Sequence, residues 1–412
     1  MRTGRVHVIG AGVAGLAAAT ALAARGRRVV LYEAAKWAGG RCRSYGDSAL
    51  NCRIDNGNHL LLSGNHATMA YLARIGAEDT LTGPRQPIFP FIDLVSGEAW
   101  TLRLNRGTLP WWVLRKSWRV PGTRARDYLS LRRLQRAGAQ DLVANLLGDL
   151  GPLYDNLLEP LAIAALNTKP AVASAAPLAA VIAESIALGG KASMPRFPKI
   201  GLSESFVDPA LAHLRDRGTE LRFGARIAGL TVSSGHVTGL VGPNVDEIVA
   251  PGEHVVLATP PWVAADLVPG LTVPDAFEAI LNLHFRAGID AGEAGFYGLL
   301  GGAAEWVFEK TEVVSVTISA ANDRIDADAD ALAIEVWSDL RRGFGLPRTM
   351  PPHRVVKEKR ATFAATPEQL ARRPGAATLL ENLVLAGDYT ATGLPATIEG
   401  AVRSGETAAT LV

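Results

Sequence analysis

Three glycines near the start of the sequence have the spacing that a phosphate-binding loop requires: Gly10, Gly12 and Gly15 form a Gly-x-Gly-x-x-Gly motif. In such a loop the first glycine permits a sharp turn, the second lets a pyrophosphate approach the backbone, and the third lets a helix pack closely on a strand. Glu33 follows Gly15 by eighteen residues, where a carboxylate accepts hydrogen bonds from an adenosine ribose and repels a 2′-phosphate. These residues predict a dinucleotide site that disfavours NADP.

The stretches around these glycines predict the β–α–β unit that such a loop needs. Residues 6–9 are apolar and precede the motif, residues 16–25 are rich in Ala and Leu and predict a helix, and residues 28–33 predict a second strand that ends at the acid. The free N–H groups at the start of the helix, around Ala14, would then face the phosphates with the positive end of the helix dipole.

The residues after the second strand indicate which dinucleotide binds. Gly39, Gly40 and Arg41 form a Gly-Gly-Arg sequence placed six to eight residues after Glu33. This pattern resembles the FAD-dependent amine oxidase and phytoene desaturase superfamily, in which the corresponding residues run beside the pyrophosphate and the flavin. The resemblance implies FAD as the cofactor, with Gly40 and Arg41 among its contacts.

The same resemblance extends to two further segments. Asn56, Gly57 and Asn58 match a loop that lies across the flavin in the superfamily, although Asn-Gly is also an ordinary turn sequence. Ile227 is the best match to a residue whose backbone reaches the adenine. Both assignments follow from the resemblance and not from the spacing alone.

The C-terminal part of the sequence contains a second strand end with a glycine. Residues 383–388 predict a strand that ends in Gly387 and Asp388, and residues 393–401 predict the start of a helix. Gly387 permits a close backbone approach, and Asp388 can hydrogen-bond the ribityl chain or the pyrophosphate. The helix start can stabilise negative charge at the N1–C2 edge of a flavin. The residues expected there are Pro395, Ala396, Thr397 and Ile398.

These elements predict an α/β fold, in which a Rossmann-like FAD-binding domain of the amine oxidase and phytoene desaturase type is interleaved with an α+β substrate domain. The FAD-binding domain is expected to comprise residues 1–85, 202–270 and 375–412. The substrate-binding domain is expected to comprise residues 86–201 and 271–374. Strand patterns in the second of these ranges lie at 281–285, 306–309 and 313–318, and a helix pattern lies at 328–343.

Several segments together resemble the hydroxysqualene dehydroxylase family, whose members are also called squalene-associated FAD-dependent desaturases. The matching segments are residues 56–62, 159–161, 164–168, 387–390 and 394–399. The resemblance implies that reduced FAD delivers hydride to an allylic carbon of hydroxysqualene as its hydroxyl leaves, giving squalene and water for hopanoid biosynthesis. It also implies a long-chain isoprenoid substrate and makes upstream squalene-pathway synthases candidate partners. Because no cysteine follows Cys52, the C-terminal segment cannot hold FAD covalently.

Loss of a hydroxyl group requires an acid that protonates it, and two residues are candidates. His59 is the first, because its loop is expected to face the isoalloxazine ring. Glu159 is the second, because a carboxyl group in an apolar wall has a raised pKa and keeps its proton. The alternatives are a hydrogen-bonded loop histidine at His59 and an ordinary helix-end residue at Glu159.

Two other functions fit the same sequence. A carotenoid desaturase would transfer hydride from a polyene to FAD and would need neither a leaving group nor an acid. A non-catalytic isoprenoid-binding protein of this fold would lose the flavin, whereas the glycines and acids expected to hold it are intact here.

The composition excludes several classes of protein. The chain has 412 residues, of which 48% are hydrophobic, and a formal net charge of +2, so it is long enough for two domains and has no global bias towards nucleic acid. Cys42 and Cys52 lack the clustered partners of a zinc site, so no metal is expected. No apolar run of about 18 residues is free of charge and proline, which predicts a cytoplasmic protein that does not span a membrane.

Residues 101–136 are a local exception, because nine Arg and one Lys accompany a single acid, Asp127. Trp111, Trp112 and Trp118 lie among these cations, and the combination fits an interfacial anchor with rings in the acyl boundary and cations on lipid phosphates. A solvated basic helix with two buried tryptophans is the main alternative. Nucleic acid is not expected as a partner, because no recognised binding module accompanies the cations. The sequence therefore leaves open a peripheral contact with the inner face of the cytoplasmic membrane.

Overall fold

The computed structural model describes residues 4–412, which form twenty strands and ten α-helices. The strands are β1 (Arg5–Ile9), β2 (Arg28–Glu33), β3 (Ser44–Asp47), β4 (Cys52–Asp55), β5 (Leu61–Leu62), β6 (Leu81–Thr82), β7 (Ile88–Asp93), β8 (Ala99–Arg103), β9 (Pro195–Pro198), β10 (Glu220–Phe223), β11 (Gly229–Ser233), β12 (His236–Gly242), β13 (Val245–Ile248), β14 (His254–Leu257), β15 (Phe277–Phe285), β16 (Phe296–Leu300), β17 (Trp306–Glu309), β18 (Val314–Ile318), β19 (His353–Phe363) and β20 (Leu383–Leu385). The helices are α1 (Val13–Ala24), α2 (His66–Ile75), α3 (Val143–Leu147), α4 (Glu159–Leu166), α5 (Ala175–Glu184), α6 (Asp208–Asp216), α7 (Pro261–Leu267), α8 (Ala329–Phe344), α9 (Pro367–Ala371) and α10 (Ile398–Leu411). No helix within residues 4–412 is long and apolar enough to cross a bilayer.

The glycine motif lies in a five-stranded parallel sheet with the order β10-β2-β1-β14-β20. The apolar residues of β1 are buried on both of its faces, which is usual for a central parallel strand. Helices α1, α2, α6 and α10 cover one face, and α7 with the small sheet β11-β12-β13 covers the other. The strands predicted at 6–9 and 28–33 correspond to β1 and β2, whereas α1 begins three residues earlier than predicted.

The C-terminal helix α10 packs directly on α1. A Cβ added to Gly405 of α10 would lie 2.3 Å from the carbonyl oxygen of Ala14, so only glycine fits at this contact. Glu399, in the first turn of α10, accepts hydrogen bonds from the N–H groups of Ala67 and Thr68 and thereby caps α2. Residues from the two ends of the described chain therefore meet in one helical layer beside the glycine loop.

A second large sheet has seven strands in the order β19-β15-β18-β17-β16-β7-β8, antiparallel except for the pair β16–β7. Helix α8 covers one face through apolar residues such as Leu332, Val336 and Leu340. Apolar residues from α3, α4 and α5 pack on part of the other face. The strands predicted at 281–285, 306–309 and 313–318 fall in β15, β17 and β18, and the helix predicted at 328–343 is α8.

The two large sheets draw on different parts of the chain. All strands of the five-stranded sheet lie within residues 1–85, 202–270 and 375–412, and all strands of the seven-stranded sheet lie within residues 86–201 and 271–374. A small sheet, β5-β9-β6, joins strands from both groups of ranges. The division into two domains therefore stays a prediction.

The basic segment 101–136 is not a continuous amphipathic helix. After β8 it contains three 3₁₀ helices, Trp111–Leu114, Lys116–Trp118 and Ala125–Arg136. In the last of these, the inward-facing Tyr128, Leu131 and Leu134 are spaced by three, which matches the three residues per turn of a 3₁₀ helix.

Trp112 is part of the protein core. Its side chain is only 6% exposed, and its ring centroid lies 5.0 Å from that of Tyr128. Trp111, by contrast, is 45% exposed. Trp112 is therefore buried, as in the alternative of buried tryptophans, and it does not face outward beside Trp111, because adjacent residues of a 3₁₀ turn point in different directions. Membrane contact of the segment stays a prediction.

Candidate functional site

The three glycines of the predicted phosphate loop have different surroundings. Gly10 has a φ of +106°, and a Cβ there would lie 2.5 Å from the carbonyl oxygen of Ala258. A Cβ on Gly15 would lie 1.9 Å from the carbonyl oxygen of Gly10, so packing alone requires both glycines. A Cβ on Gly12 would meet no described atom within 4 Å beyond its chain neighbours. Gly12 thus keeps open space beside the backbone, which fits the close approach of a pyrophosphate.

The N-terminus of α1 opens towards that space. Its N-cap is Gly12, which has no side chain to accept hydrogen bonds from the first turn, and the first turn contains no acid. Helices α8 and α10, by contrast, are capped by side-chain oxygens of Asp328 and Thr397. The first N–H groups of α1 are therefore suited to an anion from outside the helix.

Glu33 ends β2 next to the glycine loop. Its Oε2 accepts a hydrogen bond from the N–H of Ala11 and its Oε1 one from the N–H of Ala35, each at 2.8 Å. The N–H of Ala225 donates to the carbonyl oxygen of Glu33 at 2.9 Å, and Ile227, which is 6% exposed, follows two residues later. The structure thus brings Glu33 and Ile227 to the same end of the sheet.

The Gly-Gly-Arg segment packs against the glycine loop. The N–H of Gly39 donates to the carbonyl oxygen of Ala11 at 2.8 Å, and Gly40 has a φ of +58°. Arg41 Nη2 lies 2.7 Å from Asp388 Oδ1. This ion pair joins the N-terminal motif to the strand end that follows β20. The structure therefore gathers predicted site residues from both ends of the chain.

Arg373 holds the turn between Asp388 and α10, although the sequence did not single it out. Its guanidinium donates to the backbone carbonyl oxygens of Asp388, Tyr389, Thr390 and Leu394. Burial lowers the pKa of Arg373 to about 10, so the side chain is still charged at neutral pH. The turn leads into the predicted residues Pro395, Ala396, Thr397 and Ile398. The hydroxyl of Thr397 accepts a hydrogen bond from the N–H of Gly400 at 3.1 Å and so fixes the start of α10.

The predicted loop of Asn56, Gly57 and Asn58 bridges the two large sheets. Asn56 Nδ2 donates to the carbonyl oxygen of Arg41 at 3.3 Å, and the carbonyl oxygen of Asn56 accepts from Asn282 Nδ2 at 3.2 Å. A Cβ on Gly57 would lie 3.1 Å from the same amide nitrogen. The loop is therefore held between the Gly-Gly-Arg segment and the buried Asn282 of β15.

A polar network continues from this loop across β15 and β18. Asn58 Nδ2 donates to Ser315 Oγ at 2.7 Å and to Thr317 Oγ1 at 3.1 Å. Thr317 Oγ1 donates to Asn282 Oδ1 at 2.8 Å, and Ser315 Oγ lies 2.9 Å from His284 Nδ1. Polar residues alternating with apolar ones in two buried strands were visible in the sequence, and this alternation is the signal that would have found the network.

Two atoms of this network are buried and have no partner within the part of the chain that the structure describes. They are Asn58 Oδ1 and His284 Nε2. Burial lowers the pKa of His284 to about 4, so the ring is neutral at pH 7. Because buried polar atoms nearly always bind a partner, these two atoms point to a ligand or an ordered water beside the loop.

A buried ion pair adjoins the loop at its N-terminal side. Lys310 Nζ lies 3.3 Å from Asp55 Oδ2, and the two side chains are 11% and 5% exposed. Asp55 Oδ1 accepts hydrogen bonds from Ser44 Oγ at 2.6 Å and from the N–H of Leu202 at 2.8 Å. The sequence offered no signal for this pair, because its two members are distant along the chain and each lies in an ordinary strand pattern.

His59 lies in the field of both ion pairs. Burial lowers its pKa to about 4; Arg41 and Lys310 act in the same direction, and Asp55 opposes them. At neutral pH the His59 ring is therefore uncharged. It can donate one N–H and accept at its other nitrogen, but it does not store a dissociable proton of its own as an imidazolium.

Glu159, the second predicted acid, is the first residue of α4, whose Ala162 and Leu166 belong to the apolar cluster that packs on the seven-stranded sheet. Burial, and then the charge of Asp155, raise the pKa of its carboxyl group. Glu159 is not among the charges that act on His59. The structure thus does not pair the two predicted acids.

Aromatic side chains cover the sheet face beside Lys310. Phe197 packs edge-on against the stacked rings of Phe296 and Phe308, with ring centroids 6.3 and 6.0 Å away. Lys310 Nζ lies 6.0 Å from the Phe197 ring centroid. The same cluster contains Phe91 and Trp306. The half of the sheet face next to the polar network is therefore apolar. The described residues contain no group of three or more His, Cys, Asp or Glu side chains placed to bind a metal.

Comparison with known proteins identifies a family model and close relatives that match this chain. A family model described as flavin containing amine oxidoreductase matches residues 13–291 and 300–412. A hydroxysqualene dehydroxylase of Rhodopseudomonas palustris is 47% identical over 408 residues, which is 99% of this chain and 98% of the relative. A protein of the same name from Zymomonas mobilis is 45% identical over 405 residues, which is 98% of each chain.

A solved structure supports the fold. Cyclohexylamine oxidase from Brevibacterium oxydans superposes with a TM-score of 0.73 at 17% identity, and the match covers 98% of both chains. At this identity the likeness concerns the fold alone. The α/β fold of the amine oxidase type predicted from the sequence is confirmed.

Proposed function

This chain belongs to the family of flavin-containing amine oxidoreductases and, within it, to the hydroxysqualene dehydroxylases, and on that premise we propose that it reduces hydroxysqualene to squalene with FAD. The observation that carries the proposal is the identity of 45–47% to proteins of that name over 98–99% of this chain. Squalene made in this way would serve hopanoid biosynthesis.

We propose that FAD binds without a covalent link, and the residues present fit it. The open space at Gly12 and the uncapped start of α1 would take the pyrophosphate, and Glu33 would take the ribose. The Arg41–Asp388 pair and the start of α10 would hold the flavin end. When bound and reduced, FAD supplies the hydride that the reaction requires.

Replacement of the hydroxyl group also requires a proton. The allylic C–O bond breaks, the oxygen leaves as water after gaining one proton, and a C–H bond forms at the same carbon. A neutral His59 cannot be the store of that proton, whereas Lys310 is a buried ammonium whose charge acts on His59. We propose that His59 donates its N–H proton to the leaving oxygen while its other ring nitrogen takes up a proton that originates from Lys310, so that the ring stays neutral and the ammonium becomes an amine.

Glu159 is the second candidate for the proton donor. Its carboxyl group has a raised pKa because of burial and Asp155, which favours the protonated form that such a role requires. It is the first residue of α4, whose Ala162 and Leu166 belong to the apolar cluster, and this would place the acid on the substrate side rather than beside the ion pair. Substitution of His59 or of Glu159 distinguishes the two candidates. Removal of the true proton donor should slow the chemical step without releasing FAD.

The aromatic wall beside Lys310 suits a long isoprenoid better than a polar amine. Its rings belong to one buried cluster with apolar residues of α4 and α5, which gives a long hydrocarbon chain an apolar surface to contact. An isoprenoid of this length partitions into membranes, so we propose peripheral membrane contact at the inner face of the cytoplasmic membrane, with substrate supplied by an upstream squalene-pathway synthase.

The proposed function is tested by a single-turnover experiment. Protein loaded with FAD is reduced chemically without oxygen, mixed with hydroxysqualene in detergent, and followed by flavin reoxidation and by the mass of the product. Formation of squalene with matching reoxidation supports the proposal. A product more unsaturated than its precursor when oxidised FAD meets phytoene or squalene would indicate a carotenoid-type desaturase. A colourless protein that cannot be reconstituted with FAD would indicate an isoprenoid carrier.

A further inference from the structure

Four large apolar side chains stand exposed on the basic segment 101–136. Leu109 is 78% exposed, Trp111 45%, Leu114 73% and Leu129 59%. Together with the cations of residues 103–136 they form what we call the basic-apolar face. Large apolar side chains grouped with cations are unusual on a surface that meets only water.

The cations of the basic-apolar face outnumber the acids near them. Of the nine Arg and one Lys in the segment, Arg133 pairs with Asp149 Oδ1. Asp127, the single acid of the segment, accepts a hydrogen bond from the backbone N–H of Arg124. Arg115 lies over the rings of Trp111 and Trp118, 5.2 and 4.8 Å from their centroids. The face therefore carries a large positive excess beside its apolar groups.

A groove of about 590 Å³ opens on this face. Its lining includes three arginines, Arg132, Arg133 and Arg136, together with Leu129 and Leu146. Its size is that of a small-molecule site. Cations grouped with aliphatic side chains match a phosphate headgroup attached to an acyl chain.

The basic-apolar face is firmly attached to the apolar cluster beneath it. Trp112 and Tyr128 pack ring to ring, and the Tyr128 hydroxyl accepts a hydrogen bond from the N–H of Val120 at 2.9 Å. Both rings belong to the same buried cluster as Phe296 and Phe308 on the sheet face beside Lys310. Continuous apolar packing therefore connects the exposed face with the aromatic wall.

We propose that the basic-apolar face docks on a bilayer of anionic phospholipid, with the groove holding a lipid phosphate and the exposed leucines and Trp111 entering the acyl boundary. Charge complementarity selects an anionic bilayer over a neutral one, and the exposed leucines select a bilayer over RNA, which offers no apolar phase. The proposal deepens the proposed function, since a docked enzyme would receive an isoprenoid through the apolar cluster.

Vesicle flotation of the FAD-loaded protein tests the docking. The probes are phosphatidylcholine vesicles with and without phosphatidylglycerol. One variant, Leu109→Ser/Trp111→Ser/Leu114→Ser, removes exposed apolar groups; another, Arg132→Gln/Arg133→Gln/Arg136→Gln, removes the cations of the groove. Matched controls are Ile334→Ser/Leu379→Ser and Arg215→Gln/Arg217→Gln/Arg348→Gln, which change exposed residues elsewhere.

We expect the wild type and both controls to float only with phosphatidylglycerol vesicles. Near an anionic surface each cation contributes about fivefold to partitioning, so loss of the three groove arginines should weaken it about 100-fold. Docking is overturned if the wild type stays with the soluble fraction, if the controls weaken binding as much as the face variants, or if RNA removes the protein from the vesicles at equal phosphate concentration.

The catalytic assay separates failure of docking from failure of the proposed function. With hydroxysqualene dispersed in detergent, the face variants should turn over at the wild-type kcat, because none of their residues lies at the flavin site. With substrate embedded in anionic vesicles, the same variants should show a raised KM. Equal KM values for wild type and face variants in vesicles would overturn the docking proposal. Absence of turnover by the wild type in detergent would overturn only the proposed function, and the flotation result would stand.

Discussion

Replacement of Gly12 by Ala should separate the folding of the glycine loop from its binding of FAD. Gly12 has φ −72° and ψ 175°, which alanine adopts without strain, and an added Cβ meets no described atom within 4 Å beyond its chain neighbours. Alanine lowers the entropy of the unfolded chain, a gain of about 0.4–1 kcal/mol, but it is a poorer N-cap by about 0.5–1 kcal/mol. The free energy of unfolding of the apoprotein should therefore change by less than about 1 kcal/mol.

Binding of FAD should respond differently. The new methyl group would occupy the space open to the pyrophosphate, and loss of two hydrogen bonds to a charged phosphate, at about 1.5 kcal/mol each, weakens binding about 100-fold. At a FAD concentration of about 100 times the wild-type Kd, ligand binding stabilises the wild type by about 2.7 kcal/mol. At the same FAD concentration, which would be about equal to the Kd of the variant, FAD binding would stabilise the variant by only about 0.4 kcal/mol.

The assay is urea unfolding of each protein with and without FAD, together with a titration of flavin fluorescence. Gly229→Ala, at a second glycine with open surroundings, is the control and should bind FAD as the wild type does. Gly15→Ala should instead destabilise the apoprotein, since its Cβ would lie 1.9 Å from the carbonyl oxygen of Gly10. Wild-type affinity for FAD in Gly12→Ala, or apoprotein destabilisation as large as that of Gly15→Ala, would refute the reasoning.

Three further predictions concern buried side chains. Lys310→Met should cost about 3–5 kcal/mol of unfolding free energy, because it leaves Asp55 buried without its cation. The double variant Asp55→Asn/Lys310→Met should recover most of that stability in urea unfolding but not the rate of flavin reoxidation by substrate or its pH profile; recovery of both would remove Lys310 from proton supply. Burial depresses the pKa of His284 from 6.5 to about 4, so the unfolded chain binds more protons between these values, and stability present above pH 6.5 should fall by about 3 kcal/mol as the pH drops to 4. His284→Gln should flatten that part of the pH–stability curve, and parallel curves would contradict the assignment. Trp112→Ala should lower the unfolding free energy by about 3–5 kcal/mol, whereas the exposed Trp111→Ala should change it by less than about 1 kcal/mol; equal losses in urea unfolding would contradict their opposite orientations.

The phosphate loop and its strands could be predicted from the sequence because local geometry dictates residue type there. Gly10 needs a positive φ, Gly15 needs the absence of a Cβ, and β1 needs apolar residues on both faces. Each requirement concerns residues that lie close together in the sequence. Gly387 and Asp388 could be predicted for the same reason, because they closely follow their strand in the sequence.

The polar side of the candidate site could not be predicted in the same way. Asp55 and Lys310 become partners only because β4 and the end of β17 meet in the folded chain, and nothing in either strand specifies the other. Arg373 holds the turn after Asp388 from a loop that the sequence assigned to the substrate domain. Long-range pairs of this kind depend on the relative placement of the two sheets, which no local pattern contains.

For the basic segment 101–136, the sequence could not predict which way each side chain points. Its cations and tryptophans fitted an interfacial anchor or a solvated basic helix, but in Ala125–Arg136 the inward residues are spaced by three and not by the 3.6 of an α-helix. Trp111 and Trp112 are adjacent in the separate 3₁₀ helix Trp111–Leu114 and point in different directions, so that one ring is exposed and the other is buried. Composition alone could identify the segment but not the direction of each side chain.

The contact between α1 and α10 has a consequence for how the protein is made. During translation the glycine motif leaves the ribosome early, whereas its neighbour β14 and the helix that packs on Ala14 follow only with residues 254–257 and 398–411. The nascent chain must therefore carry the exposed apolar residues of β1 and α1 until α10 has been made, a state prone to aggregation and proteolysis. Capture of the cofactor then has to wait for α10, and loss of α10 should leave a chain that is degraded rather than one that is merely inactive.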